Sequence, residues 1–267
     1  MAKKEKYRRM QIRKVVVVYM KDPSHEHGQT MAQVRKCLGN YNAIYILRKK
    51  LSKKIFSGAD LAVVVGGDGT FLRTAQHVTG HQLLLGVNSN PRHKEGFFMC
   101  CTKKDFKKKL ASVASGKFRS LSMPRLESYL GAQKLPLALN EVFIGDIKPY
   151  RMSYYELKIG NYSEFQRSSG LLVSTPQGSH AWIKSAGGRA MQMNKYEYQI
   201  HSREPYFRTL NKQKITNKVL ASGKTLEVTS DMRKGIVVID SVPREYKFGY
   251  GKTIRIKLSH NFLHVVR

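Results

Sequence analysis

The fold of this chain is decided by residues 62–73, whose sequence is Ala62-Val63-Val64-Val65-Gly66-Gly67-Asp68-Gly69-Thr70-Phe71-Leu72-Arg73. Three successive valines with no polar residue between them predict a strand that is covered on both faces. The glycines that follow lack Cβ atoms, so the chain can turn tightly and its N–H groups can approach an anion closely. Thr70 is expected in the first turn of a helix or as its cap. The stretch therefore predicts a strand, a glycine turn and a helix.

One carboxylate, that of Asp68, lies inside this glycine turn. A helix N-terminus beside free amides is a favourable site for phosphate. A carboxylate placed there repels phosphate, unless it binds a metal ion or takes part in proton transfer. The stretch alone is equally compatible with a structural role, in which Asp68 caps the corner between strand and helix. The rest of the chain has to decide between these two interpretations.

The composition is that of a globular protein of 267 residues, with 41% hydrophobic and 25% charged residues. No apolar run approaches the roughly 20 residues needed to cross a bilayer, and residues 15–18 are too short for a signal-peptide core. The cysteines, Cys37, Cys100 and Cys101, include no Cys-x-x-Cys pair and indicate a reducing compartment. We therefore expect a cytoplasmic protein with no membrane partner and no metal-ligand set of its own.

The charge is strongly positive, because 48 Lys and Arg residues face 18 Asp and Glu residues, a formal net charge of +30. Such a surface attracts polyanions, so nucleic-acid binding has to be considered. The basic residues are spread over the whole chain, with one cluster at residues 103–109, and no zinc-finger, KH or RRM pattern accompanies them. We interpret the charge as a solvated surface that also favours anionic substrates, and we do not expect nucleic acid as a partner.

Strand and helix patterns alternate in the first half of the chain. The predicted strands are residues 15–19, 43–47, 62–65 and 83–87, and the predicted helices are residues 27–38, 49–56, 103–114 and one that starts at Thr70. This alternation predicts a parallel α/β sheet with ligands at the carboxyl ends of the strands. After about residue 122 short strand-like runs follow, separated by turns such as Gly160-Asn161. They are residues 126–130, 137–144, 153–159, 170–174, 225–229, 235–239 and 253–258.

The predicted fold class is an α/β N-terminal domain with a parallel, Rossmann-like sheet, followed by a β-rich C-terminal domain. We place the first domain at residues 1–122 and the second at residues 123–267. Within the second, Asn140 and Glu141 interrupt an otherwise apolar run, which suits a binding site or merely an edge-strand or turn feature. Residues 168–182 form an apolar strand, a hydroxyl-rich loop and a helix expected from Ser179. Small hydroxyls and the flat ring of Trp182 suit a nucleoside, although a capped loop with a core tryptophan would look the same.

Taken together, these motifs resemble the NAD kinase family, most closely its mitochondrial-type branch and the bacterial relatives of that branch. The resemblance to the family rests on Gly66-Gly67-Asp68-Gly69-Thr70, Gly86-Val87-Asn88, Leu139-Asn140-Glu141, Ser174-Thr175-Pro176, Gly178-Ser179 and Gly187-Gly188. The resemblance to the branch rests on Ser153-Tyr154-Tyr155-Glu156, Ser168-Ser169-Gly170-Leu171, Gly178-Ser179-His180-Ala181-Trp182 and Ser202-Arg203-Glu204-Pro205. The glycine turn alone is shared with lipid kinases and phosphofructokinases, whereas the Asn-Glu and Ser-Thr-Pro motifs are more specific. Ser169 stands where the commoner bacterial pattern has an Asp that contacts the nicotinamide side of the substrate.

The resemblance implies transfer of the γ-phosphoryl group of ATP to the 2′-hydroxyl of the adenosine ribose of NAD, which gives NADP. It implies Asp68 as general base, Mg²⁺ or another divalent cation bound with ATP, and a homo-oligomer, either a dimer or a tetramer. The residues implied in binding NAD and ATP are Gly66, Gly67, Gly69, Thr70, Arg73, Asn88, Phe97, Asn140, Glu141, Ser174, Thr175, Ser179, His180, Ala181, Trp182 and Ser185.

Two other functions remain open at this point. A lipid or sphingoid-base kinase would share the glycine turn, but the Asn140-Glu141 motif speaks against it. A catalytically weak protein that binds NAD or nucleic acid would keep the fold without the turnover, but the retention of Asp68 speaks against that.

Overall fold

The computed structural model describes residues 11–193, 195–207 and 213–267, and these residues form two compact units. The first unit contains the described residues up to Met123 together with Leu263–Arg267, and the second is Pro124–Phe262. The predicted domain bounds, 1–122 and 123–267, stay a prediction, and residues 1–10 of the first lie outside the described residues. The compact units differ from those bounds mainly because the last five residues of the chain belong to the first unit.

The first unit is an α/β structure built on a parallel sheet. Its elements are β1 (Val15–Tyr19), α1 (His25–Cys37), β2 (Ala43–Leu47), β3 (Leu61–Gly66), α2 (Asp68–Ala75), β4 (Leu83–Asn88), β5 (Cys101–Thr102) and α3 (Phe106–Ala114). The strand order is β2-β1-β3-β4, with every one of these neighbours parallel, and β5 pairs with the end of β4. The predicted parallel α/β fold is confirmed.

Burial explains why these sequences form the central strands. Every residue of β3 and β4 is buried, which requires apolar side chains on both faces of the strand. Val15 and Val17 of β1 pack in a core cluster with side chains of α1 and α3. Ser24 caps α1 by accepting the N–H of His27, so this helix begins at His25, two residues earlier than predicted.

The predicted helix over residues 49–56 is wrong. The structure has two short 3₁₀ turns there, Arg48–Lys50 and Lys53–Phe56, and the intervening Ser52 is extended. Neither turn has a side-chain cap, and the lysines of this segment are exposed, so only Phe56 is buried. A segment without an apolar stripe gains little by continuing as an α-helix.

The second unit is dominated by antiparallel strands, which confirms the predicted β-rich half. Its elements are β6 (Ser120–Leu130, which begins in the first unit), β7 (Gln133–Lys134), β8 (Glu141–Asp146), β9 (Ser153–Ile159), β10 (Tyr162–Ser168), β11 (Leu171–Ser174), α4 (Trp182–Ser185), β12 (Glu197–Ser202), β13 (Asn217–Ala221), β14 (Leu226–Ser230), β15 (Gly235–Ile239), β16 (Glu245–Lys247) and β17 (Thr253–Val266, which ends in the first unit).

These strands pair in two sets. Among the described residues one sheet has the order β13-β12-β11-β8-β15-β16, and the other set runs β10-β9-β14-β17. The sequence analysis missed strands β5, β7, β10, β12, β13 and β16. The two-residue strands β5 and β7 are too short to show a pattern, and the other four carry many polar residues and lack a continuous apolar run. No helix in the described part of the chain combines the length and the apolar character needed to cross a membrane.

The core of the first unit makes a direct prediction about stability. Phe106 of α3 is fully buried in that core, so Phe106→Ala leaves a cavity that the surroundings fill only partly. We expect the free energy of unfolding to fall by about 3–5 kcal/mol, as measured by chemical denaturation. The matched control is Phe207→Ala, because Phe207 is 63% exposed, and there a change within about 0.5 kcal/mol is expected. Equal losses in the two variants would contradict this account of the core.

Candidate functional site

The glycine turn, residues 66–70, joins β3 directly to α2. The helix begins at Asp68, with Gly67 as an extended N-cap, so Thr70 lies in its first turn as expected, although the helix starts two residues before the predicted start at Thr70. The early start has a steric basis at Gly66. A Cβ atom there would lie 2.9 Å from Oγ1 of Thr70, and only glycine lets the helix come this close behind the strand.

The backbone of the same turn presents N–H groups at the start of the helix. Those of Thr70 and Phe71 donate to the carbonyl of Gly67, whereas the N–H groups of Asp68 and Gly69 have no acceptor within the helix. A Cβ on Gly69 would meet no atom within 4 Å, so packing does not explain the glycine, and open space lies beside these amides. This arrangement is suited to an anion.

Asp68 is held in a fixed orientation by backbone groups. Its Oδ2 accepts the N–H of Phe97 and its Oδ1 accepts the N–H of Phe98, both at 2.9 Å. The ring of Phe98 stacks on that of Phe71, with centroids 5.0 Å apart and planes 5° from parallel. A carboxylate has further lone pairs beyond the two used here, so Asp68 can still accept a proton or a hydrogen bond from a ligand.

Two other predicted residues of the first unit differ in what they can do. Phe97 is 37% exposed, and the guanidinium of Arg267 lies 5.7 Å from its ring centroid and donates to its carbonyl. Asn88 is buried, donates from Nδ2 to the carbonyl of Lys94 and accepts the N–H of Asn90 at Oδ1. Phe97 can therefore meet a ligand, whereas Asn88 shapes the loop that follows β4.

A pocket of about 390 Å³ opens in front of the glycine turn. It is lined by Met20, Arg48, Gly67, Asp68, Gly69, Thr70, Lys94 and Glu95. Lys94 comes from the loop after β4 and forms an ion pair with Asp22 at 2.8 Å. The Lys94 ammonium holds the pKa of the Asp22 carboxyl well below its usual range. The predicted residue Arg73 lies further along α2, outside this lining.

In the second unit, Asn140 and Glu141 do not lie within one strand as predicted. Strand β8 begins at Glu141, and Asn140 precedes it. The cause is Asp240, whose carboxylate accepts the N–H groups of Leu139, Asn140 and Glu141 at 2.9, 2.7 and 3.2 Å. Because a side chain satisfies these donors, the backbone here needs no neighbouring strand. Asp240 adopts a left-handed conformation with φ of 53°.

Buried acceptor atoms of the same two residues have no hydrogen-bond partner in the described part of the chain. They are Oδ1 of Asn140 and Oε2 of Glu141, while Oε1 of Glu141 accepts a hydrogen bond from Ser241 at 3.2 Å. Burial, with a further contribution from Asp240, raises the pKa of Glu141 to about 8. Near neutral pH its carboxyl is mostly protonated, so it can donate a hydrogen bond as well as accept one.

The last residue of β11 and the hydroxyl-rich loop after it bind the backbone around Asn140. Oγ1 of Thr175 donates to the carbonyl of Leu139 at 2.6 Å, and Oγ of Ser174 donates to that of Asn140 at 3.1 Å. A Cβ on Gly178 would lie 2.1 Å from the Asn140 carbonyl oxygen, so the loop packs against it only with glycine there. These buried hydroxyls contact backbone groups, and we expect them to position Asn140.

The helix predicted from Ser179 is only partly formed. A 3₁₀ turn at Gly178–His180 is followed by α4, and Ala181 between them has φ −102° and ψ −134°, which no helix continues through. Oγ of Ser179 donates to the carbonyl of Pro176 and accepts the N–H of Met191. Like Ser174 and Thr175, Ser179 therefore has internal partners.

The remaining predicted residues differ in exposure. Ala181 is half-buried, and His180 and Ser185 are exposed, with a ring nitrogen of His180 3.2 Å from the Met191 carbonyl. Trp182 is half-buried, with its ring 5.0 Å from that of Phe143 and the guanidinium of Arg203 5.2 Å from its centroid. The Trp182 ring thus forms part of an aromatic surface that could receive a flat group.

Each unit therefore gathers its own set of predicted residues. The first collects the glycine turn, Asp68 and Phe97, and the second collects Asn140, Glu141 and their supporting loop. Sequence reasoning missed Arg48, Lys94 and Asp240. Arg48 directly follows the carboxyl end of a predicted strand, which is a usable signal, whereas nothing in the sequence ties Asp240 to Asn140.

Comparison with known proteins gives two family matches that together cover most of the chain. The family model for the ATP-NAD kinase N-terminal domain matches residues 2–118, and that for the ATP-NAD kinase C-terminal domain matches residues 139–267. A probable NADH kinase of Oryza sativa subsp. japonica is 27% identical over 275 residues, which cover 94% of this chain and 84% of the relative.

A second relative and one solved structure extend this comparison. An NAD kinase of Hahella chejuensis is 37% identical over 154 residues, a match that spans 55% of this chain and only 50% of that relative. The crystal structure of an NAD kinase from Archaeoglobus fulgidus in complex with ATP superimposes with a TM-score of 0.78 at 25% identity. That match covers 95% of this chain and 93% of the archaeal chain.

The raised pKa of Glu141 predicts a pH dependence of stability. Its ordinary value is 4.5 and its value in the folded protein is about 8, so between these limits the folded state holds a proton that the unfolded chain has released. The free energy of unfolding must then fall as the pH rises through this range. We expect the Tm of the unmodified protein to fall relative to that of Glu141→Gln between pH 5 and about pH 8. Thermal melts followed by circular dichroism would measure the Tm of both proteins at each pH. A Tm difference that does not change with pH would contradict the prediction.

Proposed function

Because the chain belongs to the ATP-NAD kinase family, a family of phosphotransferases, we propose that it transfers the γ-phosphoryl group of ATP to the 2′-hydroxyl of the adenosine ribose of NAD. The products are NADP and ADP. The observation that carries the proposal is the fixed carboxylate of Asp68, which lies in a glycine turn and faces a pocket with cationic side chains.

Asp68 is proposed as the general base. Phosphoryl transfer depends mainly on positioning and charge stabilisation, with a carboxylate that orients or deprotonates the attacking hydroxyl. The oxygen of the 2′-hydroxyl forms a bond to the γ-phosphorus while the bond from that phosphorus to the bridging oxygen breaks, and ADP leaves. The proton of the hydroxyl passes to Asp68, whose orientation is set by the N–H groups of Phe97 and Phe98.

The phosphates of ATP are proposed to bind at the glycine turn, where the amides at the start of α2 are available to an anion. Among the described residues no group of three His, Cys, Asp or Glu side chains is arranged to hold a metal ion. A Mg²⁺ ion bound with ATP would accordingly depend mainly on phosphate oxygens, as this ion usually does, and would neutralise part of their charge.

The adenosine of NAD is proposed to bind at Asn140 and Glu141. Their unpartnered oxygen atoms can accept hydrogen bonds, and the mostly protonated Glu141 carboxyl can also donate one. Trp182, with its half-buried ring, is proposed to line the remainder of the dinucleotide pocket.

A cytoplasmic location and a homo-oligomeric state are also part of this proposal. The location is supported by the cysteines Cys37, Cys100 and Cys101, which are all free. Assembly is supported by β13, an edge strand of its sheet on which Val219 is 41% exposed.

The first functional prediction tests Asp68. The purified protein incubated with ATP, Mg²⁺ and NAD should form NADP, and Asp68→Asn should lower kcat by about 10²–10⁴-fold, because the base is lost. The variant also turns an amide NH₂ group toward one of the two backbone N–H donors, so some loss of stability is expected. Steady-state kinetics and the Tm, measured together, separate the two effects.

A control for the loss of a carboxylate charge exists in the same unit. Asp105 accepts the N–H and the hydroxyl of Thr102 with Oδ1 alone, and it does not line the pocket. An asparagine can keep both bonds, so Asp105→Asn should leave kcat unchanged and lower the Tm less than Asp68→Asn does. Turnover of Asp68→Asn close to that of Asp105→Asn would refute the assignment of the base.

The second functional prediction tests the adenosine site. Asn140→Ala should leave polar groups of the bound base unpaired, which costs about 1–3 kcal/mol and raises KM for NAD roughly tenfold to hundredfold. KM for ATP should change less. Kinetics with each substrate varied in turn would measure this, and an unchanged KM for NAD in a folded Asn140→Ala protein would defeat the adenosine assignment.

A further inference from the structure

Arg48 lies at the edge of the sheet from which the glycine turn emerges. It directly follows β2 and is the first residue of the 3₁₀ turn Arg48–Lys50. Its side chain is half-buried, and Nη1 donates to Oγ1 of Thr70 at 3.4 Å. This contact directs the guanidinium toward the turn, and Arg48 lines the same pocket as Asp68.

The carboxylates of Asp68 and Glu95 line the same pocket as Arg48, but neither forms an ion pair with it. Burial lowers the pKa of Arg48, and the positive charge of Arg73 lowers it further, so the Arg48 side chain experiences a like charge. In the described part of the chain, no ion pair within 4.0 Å involves either arginine. Lys94, the other cation that lines the pocket, is neutralised by Asp22 at 2.8 Å.

A half-buried cation beside a second cation, with a neutral hydroxyl as its hydrogen-bond partner, is an unfavourable arrangement for the protein alone. An anion bound in the pocket would make this arrangement favourable, because charge-assisted hydrogen bonds from a guanidinium to phosphate oxygens are strong. The planar fork of arginine also fixes the orientation of a phosphoryl group better than an ammonium does. The arrangement therefore indicates Arg48 as the group that binds the phosphate charge.

We propose that Arg48 is a catalytic residue that contacts the transferred phosphoryl group of the donor and stabilises the charge that develops on its oxygens. This inference rests on the proposed function, since it assigns a cation to the same phosphate site. Arg48 forms no covalent bond and moves no proton. It acts beside Asp68, with the guanidinium binding the phosphoryl oxygens and the carboxylate orienting the attacking hydroxyl.

Kinetics of Arg48→Gln would test the proposal, since glutamine keeps a hydrogen-bond donor for Thr70 but removes the charge. We expect kcat to fall by about 10²–10³-fold, the usual effect of removing one group that stabilises transition-state charge, with KM for NAD unchanged. Lys49→Gln is the matched control, because it removes the same charge from the same turn at an exposed position outside the pocket. Its kcat should equal that of the unmodified protein.

A direct binding measurement removes the dependence on turnover. Titration calorimetry with inorganic tripolyphosphate should show about tenfold weaker binding, or more, to Arg48→Gln than to Lys49→Gln, because a charge-assisted hydrogen bond is lost. In a separate experiment, added guanidinium should restore part of the kcat of Arg48→Ala. Equal tripolyphosphate affinities and equal kcat values in the Arg48 and Lys49 variants would overturn the assignment. A protein that forms no NADP at all would refute the proposed function, and the tripolyphosphate comparison would then decide the role of Arg48 alone.

Discussion

Two hydrogen bonds from the backbone N–H groups of Phe97 and Phe98 to the carboxylate of Asp68 are the constraint on which the first unit's site depends. They tie the first residue of α2 to the segment after β4, and the stacked rings of Phe71 and Phe98 pack beside this connection. A carboxylate bound in this way cannot rotate freely. Its remaining lone pairs therefore point in a fixed direction, which is what a reaction that relies on positioning requires.

The second unit uses a carboxylate for a different purpose. Asp240 accepts three consecutive N–H groups and thereby stops residues 139 and 140 from joining a sheet. This leaves Asn140 immediately before the start of β8, where the hydroxyls of Ser174 and Thr175 donate to the backbone carbonyls of residues 139 and 140. Two side-chain oxygens that have no partner in the described part of the chain, Oδ1 of Asn140 and Oε2 of Glu141, are thus presented by a rigid framework. A site built on such a framework loses little entropy when it binds a ligand.

The sequence predicted the parts of this structure that depend on local patterns. Consecutive buried valines and leucines defined β1, β3 and β4, and the spacing of the glycines located the turn. The sequence patterns did not predict the features that depend on contacts between residues far apart in the chain. Strand β8 starts later than predicted because Asp240, about a hundred residues further along the chain, binds the N–H groups before it. The hydroxyls of Thr175 and Ser179 donate to backbone carbonyls, and no sequence pattern predicts these contacts. The basic segment after β2 is not an α-helix, because its lysines are exposed and it has no apolar stripe, and Arg48 at its start donates to Thr70.

The unpartnered oxygens of Asn140 and Glu141 have a consequence for the lifetime of the protein in a cell. Burying an acceptor without a donor costs free energy, and that cost is present whenever no ligand supplies the donor. A dinucleotide that binds the folded chain, and not the unfolded one, shifts the folding equilibrium toward the folded state by mass action. If a dinucleotide binds at Asn140 and Glu141 as proposed, chains without it open more often and are exposed to proteases for longer. On that proposal, the abundance of this protein in a cell is expected to rise with the supply of dinucleotide.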